Sequence, residues 1–341
     1  SSNNLAYMNI AIVGATGNVG RKILEVIEKL NFEFGDLYLI ASDKSIGKKI
    51  TFKKKKYTVV GLNDFDFSKV KIAFFSAGSA IAEKWAPIAA KKTIVIDNSK
   101  HFRMDKDIPL VVPEVNPESL KIYKNKNIIA NANCSTIQLV LALKPLHEKF
   151  KIKRVIVSTY QSVSGAGNVH INELEEQSKK VLNKQKVSSK NFTKQIAFNV
   201  IPHIDSFMED RYTKEEWKMN VETKKILDPS ISLSATCVRV PVFVGHAESI
   251  NIEFDSEVDE KKIRECLKQA PGCKVIDETK DGGYITPVES SGDFVTYISR
   301  IRNDHTQKNS INMWVVSDNL LKGAALNAVQ IANVLIKKYI N

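Results

Sequence analysis

Cysteine is scarce in this 341-residue chain: four residues, Cys134, Cys237, Cys266 and Cys273, with no C-x-x-C pair. Thiols so scattered exclude a disulfide-stapled scaffold and suit a reducing, cytoplasmic compartment. None has a His or a second Cys at metal-ligand spacing, so no metal site is expected. Long apolar runs are also missing. Nothing approaches the ~20 continuous apolar residues of a bilayer crossing, so no membrane partner is expected. The opening, Ser1 to Tyr7, lacks the basic flank and apolar block of a secretion signal. Acidic residues number 38 against 50 basic ones, a formal charge of +12. That excess is spread out, except at Lys53 to Lys56, which reads as a solvated hairpin turn before Tyr57-Thr58-Val59-Val60. A diffuse positive field steers small anions and does not require nucleic acid.

What is present builds a globular enzyme. A hydrophobic share of 43% supports a sizeable core, and the length suits two domains. Met8 to Val13 is a short β-branched run stopping at glycine, as a buried parallel strand does. Val19 to Leu30 then puts Val19, Ile23, Val26, Ile27 and Leu30 on one helical face. Further short apolar runs at Leu37 to Ala41, Ile72 to Phe75 and Ile94 to Ile96, with a helix over Ile81 to Ala90, make βαβ units on a parallel sheet. From Cys134 the texture changes. A helix over Thr136 to Phe150 precedes strand-like stretches at Ile152 to Tyr160, Ser232 to Val244 and Ile250 to Phe254, and a helix around Glu260 to Ala270. Ser178 to Lys194 is polar and expected to be exposed, and Leu320 to Ile340 is helical again. The expected class is α/β. An N-terminal Rossmann-type dinucleotide-binding domain covers 8–133, with a C-terminal helix, 320–341, packing back on it. An α+β catalytic and dimerisation domain with a mainly antiparallel sheet covers 134–319.

Two segments carry chemistry. Gly14-Ala15-Thr16-Gly17-Asn18-Val19-Gly20 lies between the first strand and its helix. Glycines there let the main chain approach a pyrophosphate, which the helix N-terminus attracts. The second strand ends without the usual acidic residue. Ser42, Lys44 and Ser45 offer hydroxyls and a cation to a 2′-phosphate, which favours NADP, with Asp43 leaving NAD as the minor option. In Asn131-Ala132-Asn133-Cys134-Ser135-Thr136 a thiol opens a helix among small polar neighbours. The dipole and orphan N–H groups there favour thiolate. Asn133 is a candidate to face a developing oxyanion.

With these segments in view, the chain resembles the bacterial type of the aspartate-β-semialdehyde dehydrogenase family. The matching stretches, in order, include Gly14 to Gly20, Ser76-Ala77-Gly78, Asp97-Asn98-Ser99, Val112-Pro113-Glu114-Val115-Asn116, Asn133-Cys134-Ser135-Thr136, Ser158-Thr159-Tyr160-Gln161, Ser164-Gly165-Ala166-Gly167, Arg239-Val240-Pro241-Val242 and Ser317-Asp318-Asn319-Leu320. The resemblance implies an NADP-dependent enzyme interconverting L-aspartate 4-semialdehyde plus phosphate and L-4-aspartyl phosphate through a Cys134 thioester. This reaction serves lysine, threonine, methionine and isoleucine biosynthesis. It gives Gln161 the positioning of Cys134 and substrate, and His246 the acid/base role. Arg239 takes the substrate carboxylate, Glu215 its amino group, and Lys218, Arg103 and Asn133 the phosphate. Gly14, Thr16, Gly17, Asn18, Val19, Ser42, Lys44, Ser45, Ser76, Ala77, Gly78, Ser164, Gly165 and Asn319 are implied at the cofactor. A homodimer is implied, with a tetramer as the other assembly. Lys44 stands where many members carry Arg, which weakens the implied NADP preference. Two alternatives stay open: N-acetyl-γ-glutamyl-phosphate reductase, whose substrate has no free ammonium for Glu215, and a basic nucleotide-binding module without catalysis.

Overall fold

The computed structural model describes residues 8–340, so expectations for Ser1 to Tyr7 lie outside the described residues. The described residues divide into two compact units, one formed by 8–132 with 324–340 and the other by 133–323.

The first unit is a seven-stranded sheet. Its strands are β1 (Ile10–Val13), β2 (Leu37–Ala41), β5 (Val60–Gly61), β6 (Ile72–Phe75), β7 (Ile94–Asp97), β8 (Leu110–Val111) and β9 (Ile128–Asn131), and β3 (Lys49–Phe52) and β4 (Lys55–Thr58) form a separate hairpin. The sheet order is β5-β2-β1-β6-β7-β9-β8, and every pairing is parallel. All four residues of β1, β6, β7 and β9 are buried, as continuous apolar runs in a sheet covered on both faces must be. Helix α1 (Asn18–Lys29) buries Gly20, Ile23, Leu24, Val26 and Ile27. Leu30, expected on this face, is 36% exposed because the helix ends one residue earlier and Leu30 is its C-cap. Helix α2 (Ser79–Ala90) and a C-terminal helix (Leu326–Lys338) complete the unit. Lys53 and Lys54, both at positive φ, make the turn of the β3–β4 hairpin, and Lys55 and Lys56 open β4.

The second unit opens with α3 (Cys134–Phe150) and β10 (Ile152–Gln161), followed by α4 (Asn168–Leu182) and α5 (Lys214–Ile226). Then come β11 (Ser232–Arg239), β12 (His246–Phe254), α6 (Glu260–Lys268), β13 (Cys273–Val275), β14 (Thr296–Asn303) and β15 (Ser310–Ser317). The sheet runs β11-β10-β12-β15-β14-β13. Three central pairings are antiparallel and the two outer ones parallel. Its inner face (Val155, Val157, Ala235, Cys237, Ile250, Ile252, Val315) packs on Leu139, Leu143 and Leu146 of α3. The strand expected over Ser232 to Val244 stops at Arg239, ahead of Pro241, and the next begins at His246, four residues before the expected start. Polar residues therefore finish apolar strands. β10 ends in Gln161, β11 in Arg239, and β12 starts with His246, all at one end of one sheet.

Candidate active site

Each unit presents one candidate surface. In the first, the chain leaves β1 at Gly14, whose φ is +91°. A Cβ there would lie 2.5 Å from the Ser76 carbonyl oxygen, so the loop fits only with glycine. Gly17 is the N-cap of α1 and makes no side-chain cap bond, which leaves first-turn N–H groups to an outside acceptor. The Asn18 Nδ2 is buried without a partner. Ser76 donates to the Val13 carbonyl and Gly78 caps α2 in open space, while Val19 and Ala77 are half-buried in the same two turns. Thr16 and Ser45 hydroxyls lie 3.4 Å apart, whereas Ser42 and Lys44 are exposed on the turn after β2. Free main-chain donors, an open glycine cradle and a nearby cation fit a dinucleotide phosphate. Arg103 is buried in this unit, its guanidinium donating to the Asn131 and Asn98 carbonyls.

In the second unit Cys134 is the first residue of α3 and is half-buried. Burial pushes the Cys237 and Cys266 thiols up, away from thiolate. The Asn133 Oδ1 accepts from the N–H groups of Ser135 and Thr136, a side-chain N-cap. Its Nδ2 donates to both Glu215 oxygens at 3.1 and 3.2 Å. Asn133 therefore caps the helix and braces Glu215, and in this arrangement its amide is not turned to an oxyanion. Gly323 passes so close that a Cβ there would meet the Cys134 Cβ at 3.0 Å.

Gln161 bonds at both ends of its amide: Thr159 donates to Oε1 at 2.8 Å, and Nε2 donates to Glu215 Oε2 at 3.0 Å. Glu215 is thus a hub, 5% exposed, at the start of a helix capped by Thr213 and Glu216. Burial works to raise its carboxyl, but Lys218, the bonds from Gln161 and Asn133, and Arg239 together hold it below the usual carboxylate range. Lys218 Nζ lies 3.5 Å from Glu215 and 2.9 Å from Asp205. Burial lowers Arg239, whose guanidinium donates to the Ser162 carbonyl at 2.8 Å.

His246 is wholly buried. The Ser162 N–H donates to its Nδ1 at 2.9 Å, so Nδ1 carries no proton and the neutral ring holds its hydrogen on Nε2. That Nε2 has no protein partner. A Cβ on Gly165 would lie 3.1 Å from it and 3.3 Å from the Arg239 Nη1, so only glycine leaves the two side chains uncovered. Burial, with Arg239 nearby, pushes the imidazole down to about 3.

Asn319, expected at the cofactor, is buried and its amide ties loops together. Its Oδ1 accepts from Ser162, Ser164 and the Gly245 N–H, and its Nδ2 donates to Ser164. Thr159, Ser162, Gly323 and Glu222 join the candidate list from structure alone. Thr159 and Gly323 lie in stretches that match the family, and Glu222 lies seven residues after Glu215 on one helical face.

Residues 9–123 match the family model described as semialdehyde dehydrogenase, NAD binding domain, and 143–322 the model described as semialdehyde dehydrogenase, dimerisation domain. The chain is 53% identical to aspartate-semialdehyde dehydrogenase of Aquifex aeolicus over 333 residues, covering 96% of this chain and 98% of that protein. Among solved structures it is similar to aspartate semialdehyde dehydrogenase II from Vibrio cholerae complexed with ASA. There the TM-score is 0.95 at 49% identity, over 98% of this chain and 99% of the other. It also resembles the Candida albicans enzyme with NADP, at TM-score 0.76 and 27% identity, over 98% and 99% of the two chains. No helix among the described residues is long and apolar enough to cross a membrane.

Proposed function

The chain belongs to the aspartate-semialdehyde dehydrogenase family, and from that premise we propose that it uses NADP and phosphate to interconvert L-aspartate 4-semialdehyde and L-4-aspartyl phosphate in the cytoplasm, as a homodimer. One observation carries this reading: the residue opening α3 is a thiol, and its N-cap shares a buried carboxylate with Gln161. The ASA complex of the Vibrio cholerae relative and the NADP complex of the Candida albicans relative support the substrate and cofactor choices.

In the biosynthetic direction the Cys134 thiolate attacks the acyl carbon of aspartyl phosphate. A C–S bond forms, the C–O bond to phosphate breaks, and a thioester remains. NADP, held through Gly14 to Val19, Ser42, Lys44, Ser45 and Ser76 to Gly78, is the hydride carrier of the reaction. Glu215, kept anionic, receives the substrate ammonium. Arg239 receives the carboxylate, and Lys218 the phosphate. His246 is held neutral, so its Nε2–H is a hydrogen-bond donor to the substrate oxygen as charge gathers there. Serving the substrate oxygen in this way belongs to the acid/base role expected from the sequence. Glu215 also separates the two reductases. An acetylated substrate offers no ammonium to this buried anionic carboxylate.

The test is NADP reduction followed by absorbance with L-aspartate 4-semialdehyde. The signal is expected to require phosphate, and phosphate-independent or absent reduction overturns the reading. A second expectation concerns pH. The unfolded His246 titrates at its ordinary 6.5, and the folded one near 3. A depressed value means that its stabilising contribution is complete above 6.5 and is lost as pH falls through that window, since the unfolded chain takes up the proton first. Urea unfolding between pH 6 and 4 should therefore show a slope up to about 1.4 kcal/mol per pH unit steeper in the natural chain than in His246→Gln. Equal slopes would show that the ring is not held neutral.

A further inference from the structure

One helix grips the nucleophile turn at two points. Glu215 and Glu222 stand two turns apart on α5 and face the same way. Glu215 holds the Asn133 side-chain amide. Glu222, 1% exposed, accepts the Asn133 main-chain N–H through Oε1 at 2.7 Å. A charge-assisted bond of that length to a main-chain donor is a strong one. With Oδ1 spent on the helix cap, each polar group of Asn133 on the turn before the thiol has a defined partner, and both carboxylates come from α5.

The two grips meet different fates once substrate arrives, on the reading above that Glu215 meets the ammonium. An ammonium at Glu215 competes with the Asn133 amide for the same carboxylate oxygens. The Glu222 contact at Asn133 is to the main chain, which no substrate group replaces. Gly323, packed against the Cys134 Cβ without a side chain of its own, leaves a close wall on another side and little room for drift.

We propose that Glu222 is a positioning residue that anchors the main chain at Asn133, so that Cys134 keeps its place at the head of α3 while Glu215 exchanges its Asn133 contact for substrate. The anchor works through the acceptor oxygen. Its charge opposes the thiolate, so losing the charge and losing the anchor shift the thiol in opposite directions. Removing a nearby negative charge would by itself ease thiol ionisation. Losing the anchor frees the cap, misaligns the first-turn N–H groups and makes ionisation harder.

The experiment alkylates the whole protein with iodoacetamide across a pH series. Labelling of the Cys134 peptide is read by mass spectrometry, because Cys266 and Cys273 are also half-buried and reactive in principle. In Glu222→Ala the midpoint is expected to rise by ~1 pH unit, while kcat falls ~10-fold and KM for the semialdehyde stays within ~2-fold. Glu222→Gln removes the charge but keeps an acceptor, so its midpoint should not rise. If Glu222→Ala does not fold, Glu222→Asp repeats the test, keeping the charge and withdrawing the oxygen by one methylene, with the same upward shift expected. An unmoved midpoint in the alanine or aspartate variant overturns the proposal, as does a rise in Glu222→Gln. Alkylation needs no substrate, so this outcome is separate from a failure of phosphate-dependent NADP reduction by the natural chain.

Discussion

Serine in place of Cys134 should lower kcat by at least ~10³-fold and leave NADP binding unchanged. The two residues are nearly isosteric, so packing against Gly323 and the Asn133 cap survive. What changes is the nucleophile. A helix N-terminus stabilises a thiolate whose intrinsic ionisation already lies near neutrality, whereas the same field cannot ionise an alcohol. His246 offers no free nitrogen as a base. The His246 ring keeps its proton on Nε2, accepts at Nδ1 from Ser162, and is pushed down to about 3. Turnover by the absorbance assay and cofactor affinity by fluorescence titration check both halves. A serine variant that kept a tenth of the activity would end the covalent mechanism.

Gly14→Ala should cost about 3 kcal/mol or more of stability and abolish cofactor binding. Two penalties coincide there. The φ of +91° is strained for any residue with a Cβ, and the added carbon would sit 2.5 Å from the Ser76 carbonyl oxygen and 2.7 Å from its carbon. Both contacts are main chain, following β6 in the centre of the parallel sheet, so neither moves aside alone. Gly78→Ala is the control. Its φ is +87° but nothing lies within 4 Å, so only the conformational cost of about 1–3 kcal/mol remains. Urea unfolding of the pair measures the difference, and equal losses would refute the close approach of the Gly14 and Ser76 loops.

The parallel sheet and both chemical turns were legible because their signals are local. β1 is four buried apolar residues ending in a glycine whose backbone no other residue adopts cheaply, and Cys134 opens a long helix among small polar neighbours. Glu215 and Lys218 share a helical turn at any burial. Strands β14 and β15 and helix α4 were not foreseen, for specific reasons. In β14 a register shift between Ser299 and Arg302, with Arg300 at positive φ, breaks the two-residue alternation that marks a strand. Helix α4 is anchored by polar side chains. Glu173 accepts from the Lys190 and Asn191 N–H groups and Gln177 from those of Ile196 and Ala197, so its apolar periodicity is weak. The same bonds tie back the far end of the polar stretch over Ser178 to Lys194, whose first residues are helical.

From composition and local pattern alone came a two-part α/β chain, a phosphate-ready glycine turn and a thiol at the head of a helix; the residues for an anionic amino-acid substrate came from the family resemblance. Those properties depend on neighbours within a turn or two. Only the tertiary structure decided how the polar groups share their bonds. It showed that Asn133 braces Glu215 and caps α3, that Asn319 ties loops, that His246 carries its proton on Nε2, and that Glu222 reaches back 89 positions to the turn before Cys134. Each hydrogen-bonding atom can choose among several partners, and the choice is made by which strands and helices end side by side, a matter of long-range packing that no short stretch of sequence contains.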